Sequence, residues 1–479
     1  MQEKNFFFYD LETFGINPQA DRIAQFAGVR TDENFQPIAE PIELYCKIPE
    51  DYFPKIEAVL LTGITPQKTL EKGLTEYQFI KQINEELSKP GTCILGYNNI
   101  HFDDEFIRNA LYRNFFDPYY REWANGNSRW DIINLVRLVH DLRPEGMNWV
   151  INKYQKPSFK LEDLTKANGI EHSDAHDALA DVWATIALIK QIKEKQPKLY
   201  EYCRTNSSKE QAYQIIYNSK DEPIMHTSGM FTNAFGCTTL VYPLTVHPTN
   251  KNCILTYDLR FSPQELLNLK VNDLHDKIFD KKLKSMSKIH IKGIHLNKAP
   301  IVAPMSVFKK ENYERLNINK DECLKNLSLL KKEKNQIKEK LVQVYSMLPY
   351  DLDLKITDPE LGIYSDGFFP AKDKSSFHRI HTSQPKNLLA LQNSFIDSRI
   401  PEMLWRFVGR NYSEVLSTTE RNQWKTDCKK RLLKPINGKT SLTAYQDEIQ
   451  NQLYKTTQQY STLKSLYDYA QGLFLKMQI

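Results

Sequence analysis

Residues 6–15 read Phe-Phe-Phe-Tyr-Asp-Leu-Glu-Thr-Phe-Gly, an apolar run of strand length that ends in two carboxylates two residues apart. Side chains alternate faces along a strand, so Asp10 and Glu12 point the same way from its end. Two carboxylates converging at a sheet edge can hold a hard divalent cation. The same pair also fits a polar strand end giving way to a turn at Gly15. The stretch therefore demands a buried strand, and the rest of the chain decides whether its end is a metal corner.

Residues 22–31 and 41–47 are predicted as two further strands, separated by a turn-forming stretch around Asp32, Glu33 and Asn34. Residues 61–66 read as a turn, with Thr65 placed to cap the next element. A helix over about 74–87 leads to a short buried strand at 93–97. Further helices are predicted over 104–115, 131–142, 161–168 and 175–194. A meander followed by alternating strand and helix implies a mixed sheet covered by helices.

Two more acids matter in this segment. Asp103 stands where a helix begins, a position at which Asp is usually a cap. Asp181 borders the apolar stripe of Ala178, Leu179, Val182, Ile186 and Ile189. An acid beside a buried face needs a partner, and a cation serves. His176 lies five residues before Asp181, roughly 140° away at ~100° per residue. The two share a face only if His176 sits on the entering loop, where Ser173 and Asp174 as caps place it. Taken alone, His176 reads as a surface histidine near a cap. Taken together, four carboxylates cannot crowd without cations. Two divalent ions roughly 4 Å apart relieve the repulsion and make a phosphoryl-transfer centre, with a histidine as general base.

These residues resemble the DEDD exonucleases, in the subgroup whose fifth catalytic residue is histidine. The three motifs stand as Asp10-Leu11-Glu12-Thr13, Asn99-x-x-Phe102-Asp103 and His176-x-x-x-x-Asp181. Thr62-Gly63-Ile64-Thr65 is similar to the family's loop before its first helix. Further stretches are similar to the bacterial exonuclease I family, among them Gly96-Tyr97-Asn98-Asn99, Arg143-Pro144-Glu145-Gly146, residues 164–173, Ser228-Gly229-Met230-Phe231 and Asp366-Gly367-Phe368-Phe369. The resemblance covers essentially the whole chain.

The resemblance implies an α/β (α+β) protein of three domains. Residues 1–195 would be a ribonuclease-H-like exonuclease domain with a mixed sheet, 196–350 an SH3-like small β-barrel domain with added helices, and 351–479 a helical C-terminal domain. It implies processive 3′→5′ digestion of single-stranded DNA, with release of 5′-mononucleotides and a role in DNA repair and recombination. Asp10, Glu12 and Asp181 would bind one Mg2+ and Asp10 with Asp103 a second, Mn2+ being an alternative. His176 would activate water. Glu12 and Lys160 would contact substrate, Lys160 standing where the family carries arginine and so lacking the bidentate fork. Phe14 and Phe102 either pack on terminal bases or belong to the core. Arg143 and Tyr202 match positions that bind the acidic C-terminal tail of the single-stranded-DNA-binding protein. The same site also suits an RNA-trimming or proofreading exonuclease, or a non-catalytic single-strand-binding module.

The 479 residues suggest roughly three domains on length alone. A net charge of +5 is mild, but basic residues crowd between about 277 and 340, which suits a polyanion or simply a solvated face. The seven cysteines are scattered, without a Cys-x-x-Cys pair, and read as reduced thiols. No apolar run approaches the ~20 residues that cross a bilayer, and the start lacks a signal-peptide plan. A cytoplasmic monomer is expected.

Beyond residue 200, residues 238–246, 253–259 and 288–302 are predicted as strands, and 325–348 as a helix carrying Lys331, Lys332, Lys334, Lys338 and Lys340. Those lysines either confer solubility or track phosphates. Helices are predicted over 388–395, 402–411, 417–433 and 441 to the end. Arg399, Arg406 and Arg410, with Trp405 and Phe407, form either a helix face packed on the nuclease domain or a DNA-channel wall.

Overall fold

The computed structural model describes residues 5–172, 175–231, 234–280, 288–347, 358–434, 440–453 and 459–478. The strands Asn5–Thr13 (β1), Ile23–Thr31 (β2), Ile42–Tyr45 (β3), Thr92–Gly96 (β4) and Ser128–Asp131 (β5) form one sheet. Its order is β3-β2-β1-β4-β5, so the phenylalanine-rich strand is the central one. β1–β2 and β2–β3 are antiparallel, and β1–β4 and β4–β5 are parallel, which makes the sheet mixed.

The alternation of β1 divides the core. Phe6 and Phe8 join Val182, Ile186 and Ile189 of helix Ala178–Lys195 on one face. Phe7, Tyr9 and Leu11 join the other face with Phe79, Ile80 and Ile83 of helix Glu76–Leu87 and Ile107 and Leu111 of helix Asp103–Arg113. Asp10 and Glu12 continue the first set by parity, so they look toward the helix that carries Asp181. A register shift follows Glu12, beyond which Thr13 pairs with Ile23.

A second five-stranded sheet follows, from Ile224–Thr227 (β6), Thr238–Val246 (β7), Cys253–Asp258 (β8), Ile291–His295 (β9) and Ile301–Pro304 (β10). Its order is β10-β6-β7-β8-β9, antiparallel throughout. The strand predicted over 288–302 is two strands, because the chain turns with Ala299 in the left-handed region at φ 43°. Helices Pro197–Asn206 and Lys209–Asn218, and strands β5 and β6, have no counterpart in the sequence-based expectation.

The helix predicted over 325–348 is two helices, Lys320–Lys332 and Lys334–Ser346, and residue 348 lies outside the described residues. Its lysines are partly engaged within the fold. Lys340 Nζ donates to the carbonyls of Leu266, Leu267 and Leu269 at 2.8–3.1 Å, and Lys331 pairs with Glu222. The stretch 388–395 is short 3₁₀ turns, Pro385–Asn387 and Leu389–Ser394, rather than an α-helix. The last predicted helix is two, Leu442–Leu453 and Tyr460–Met477.

Helix Ile400–Asn411 packs against the nuclease segment. Phe407 meets Tyr77 edge-on at 5.3 Å, and Asn411 Oδ1 accepts from the Tyr77 backbone N–H at 3.0 Å. Arg410 bridges Asp51 and Glu360, and Arg406 donates to Asp358 and Glu360. Of the two readings for Arg406, Arg410 and Phe407, the structure has the packed face. All seven cysteines are free, and all but Cys93 are buried. No described helix is long and apolar enough to cross a membrane.

Candidate active site

A cavity of about 460 Å³ opens at the C-terminal ends of β1 and β4. Asp10, Glu12, Asp103, His176 and Asp181 all line it, with Lys160, Phe102, Glu162 and His172. The acids arrive by three local devices. Asp10 and Glu12 come from the strand end, with Glu12 only 8% exposed. Asp103 opens helix Asp103–Arg113, but its side chain does not merely cap it. Its Oδ1 accepts the Leu11 backbone N–H at 3.1 Å, which ties the helix start to β1 between the two strand acids.

Asp181 lies in the first turn of helix Ala178–Lys195. His176 precedes that helix on a turn, with φ 71°, so the entering-loop position expected from its spacing is the observed one. The cap is Asp177, whose Oδ1 accepts from the Leu179 and Ala180 N–H groups. The capping positions expected at Ser173 and Asp174 lie outside the described residues. Gln25, fully buried and opposite Glu12 in the β1–β2 register, donates to Asp177 Oδ2 at 3.1 Å and fixes this helix start to the sheet.

The electrostatics are those of an acid cluster short of positive charge. Desolvation pushes Asp10 well above the usual carboxylate range, helped by Asp103, Asp181 and Glu12. Desolvation, then Asp181 and Asp103, pushes Glu12 up to about 9. Burial also raises Asp103, against the backbone N–H groups that favour its charged form, and raises Asp181 despite its histidine neighbours. Protonation or a cation can relieve such a set. Glu12, His176 and Asp181 each offer a ligand atom within 4.8 Å of the others, and oxygen and imidazole donors suit a divalent ion. Asp10 and Asp103 border the same space.

The remaining expected contacts divide. Lys160 lines the cavity with its side chain 71% exposed, and its Nζ lies 2.9 Å from Glu162. Phe102 lines the cavity, with its ring 5.0 Å from Phe106. Phe14 does not: it is 1% exposed and belongs to the core with Ala24, Ile48 and Tyr52. Its core alternative therefore holds: Phe14 lies just past the end of β1, at a bend. Arg143 and Tyr202 lie at the junction with the second sheet. Arg143 Nη1 donates to Asn312 Oδ1 at 3.2 Å, and the Tyr202 hydroxyl donates to the Val302 carbonyl at 2.9 Å.

Two residues that sequence reasoning left aside belong to the pocket's frame. They are His172, whose Nε2 lies 2.5 Å from Asp181 Oδ1, and Gln25. His172 lies within the family-like stretch 164–173, but nothing in its spacing tied it to Asp181.

Comparison with known proteins agrees with this geometry. Residues 7–189 match the Exonuclease family, 207–347 the Exonuclease I SH3-like domain and 357–473 the Exonuclease I C-terminal domain. Exodeoxyribonuclease I of Escherichia coli is 40% identical over 477 residues, covering 98% of each chain. The crystal structure of E. coli exonuclease I in complex with a dA16 oligonucleotide superposes with a TM-score of 0.92, at 39% identity, over 98% of this chain and 100% of the other. A structure of SSB/exonuclease I in complex with an inhibitor gives 0.89 at 39% identity, with the same coverage. An exonuclease domain of this kind depends on divalent metal ions, and the acid cluster supplies donors that suit them. The matched domains, the near-complete coverage and the acid-lined cavity place this chain in the exodeoxyribonuclease I family of DNA-hydrolysing enzymes.

Proposed function

We propose that the chain digests single-stranded DNA processively from its 3′ end and releases deoxynucleoside 5′-monophosphates, with Mg2+ held by Asp10, Glu12, Asp103 and Asp181. The observation that carries this reading is the cavity where those four carboxylates meet without a guanidinium among its lining residues. When bound, divalent cations supply Lewis-acid stabilisation of charge on the attacking and leaving oxygens. Asp10, Glu12, Asp103 and Asp181 would hold the ions, and Glu12 would also contact the 3′ terminus. His176, on a turn and partly exposed, takes the proton from the attacking water. Phe102 and Lys160 hold the terminal nucleotide, Lys160 as a point charge on phosphate.

The complex of E. coli exonuclease I with an oligonucleotide and the structure of SSB/exonuclease I support two partners here, single-stranded DNA and the single-stranded-DNA-binding protein, through its acidic tail in our reading. Arg143 and Tyr202 are assigned to the tail. The division into 1–195, 196–350 and 351–479 is proposed with these roles, as are a monomeric, cytoplasmic state and a part in DNA repair and recombination.

Digestion of 5′-labelled and 3′-labelled single strands with Mg2+ tests the polarity. The 3′ label should leave first as a mononucleotide, and matched RNA should resist. Early release of the 5′ label would sink the direction, and equal digestion of RNA would favour a trimming enzyme. Tail-peptide titration should weaken at least tenfold in Arg143→Ala, about what losing a charge-assisted contact implies.

A further inference from the structure

We infer that His172 is a positioning residue that holds the Asp181 carboxylate in place for a divalent cation. This rests on the assignment of Asp181 to the metal set. The His172 side chain is 4% exposed and lies between two anchors. Its Nε2 is 2.5 Å from Asp181 Oδ1, and its Nδ1 is 3.0 Å from Thr165 Oγ1. Thr165 is itself fully buried, and its hydroxyl reaches the Leu161 and Glu162 carbonyls at 3.0 and 3.1 Å. A continuous chain of contacts thus runs from helix Leu161–Ala167 through Thr165 and His172 to the first turn of helix Ala178–Lys195.

An imidazole held at both nitrogens cannot rotate, so it fixes the carboxylate it touches. His172 engages Oδ1 of Asp181, and a carboxylate oxygen of Asp181 lies beside ligand atoms of Glu12 and His176. Asp103 is anchored by the Leu11 N–H of the central strand, whereas Asp181 has His172 and the backbone of the turn at His176. The two histidines therefore have separate tasks. His176 is partly exposed and is the residue assigned to the attacking water, whereas His172 is buried and acts through Asp181.

The test is Mn2+ binding to the full-length, DNA-free protein, followed by the EPR signal of the free ion, beside kcat and KM on single-stranded DNA. The variants are His172→Ala, His172→Gln, His172→Asn and Asp181→Ala. A glutamine amide nitrogen reaches about where Nε2 stands, and asparagine's stops near Nδ1, so the Gln/Asn pair isolates the Asp181 contact without emptying the site. His172→Ala and His172→Asn should weaken Mn2+ by about tenfold or more. His172→Gln should recover most of that, with kcat falling and KM steady in the first two. Mn2+ affinity in His172→Asn equal to His172→Gln overturns the inference. So does tighter binding in His172→Ala, which would mean that the imidazole merely fills the cation's place. Asp181→Ala separates the two levels: if it too binds Mn2+ like wild type, the metal assignment fails, and if it alone loses Mn2+, only the role of His172 fails.

Discussion

At the seam between the nuclease segment and the C-terminal helices, Asp51, Glu76 and Glu360 are as dry as the acids of the cavity, yet their carboxyls are displaced in the opposite direction. Desolvation pushes all of them up. At the seam it is overruled by guanidinium groups: Arg410 donates to Asp51 and Glu360, Arg431 to Asp51, and Arg113 to Glu76. Asp51 and Glu360 fall well below the carboxylate range, and Glu76 falls to about 2. In the cavity the acids meet mainly one another, and Glu12 rises to about 9. The seam is complete within the chain, whereas the cavity is completed by an ion from outside. Buried charge that is matched serves cohesion, and buried charge left unmatched is a binding site.

Substitutions put the contrast between seam and cavity at risk. The largest effect belongs to Asp10→Ala, which should lower the rate of mononucleotide release by about a thousandfold or more while the fold persists. Undiminished digestion by the purified variant would remove Asp10 from the metal set. Next comes Arg410→Ala, which leaves Asp51 and Glu360 short of a partner. It should cost about 3–5 kcal/mol in denaturant unfolding, because breaking a buried pair strands the remaining charge.

The isosteric change of acid to amide should then have opposite signs in the two regions. Asp51→Asn lowers stability. Asp10→Asn, measured without metal, raises it by about 1 kcal/mol by removing a repelled charge. Equal signs would collapse the contrast. A smaller effect is expected in acid. Glu76, with burial opposed and outweighed by Arg113 and Arg22, has its carboxyl held below its ordinary value of 4.5, so its stabilisation is full above that value and is lost as the pH falls toward about 2. Glu76→Gln should flatten that part of a stability-versus-pH profile. The smallest belongs to Lys160→Ala: a few-fold rise in KM at low salt that fades as salt screens an exposed lysine.

Much of the cavity was legible in the sequence because its parts obey local rules. Period-two alternation put Asp10 and Glu12 on one face, and the observed central strand keeps them there. Thr65 accepts from the Lys68 N–H as a cap, with Pro66 next, as its position before the helix implied. The angular argument for His176 held because helix geometry is fixed at 3.6 residues per turn. Less was legible where through-space partners decide. Residues 128–131 form β5 because β4 offers it an edge, not because four residues of mixed character demand a strand. The aromatic and basic helix 400–411 reads equally well as a channel wall or a packed face until Asp51 and Glu360 stand opposite it.

The amino-acid order alone was enough to say which side chains gather at the cavity, how they succeed one another, and which strand holds the first two. Motif spacing and periodicity are properties of a short stretch of chain, and they survive any tertiary arrangement. It took the folded structure to make Phe14 core, to have Arg410 close a seam rather than a DNA groove, and to brace the helix of Asp181 with His172 and Gln25. Those roles depend on desolvation and on partners up to 359 positions away, which no local rule encodes.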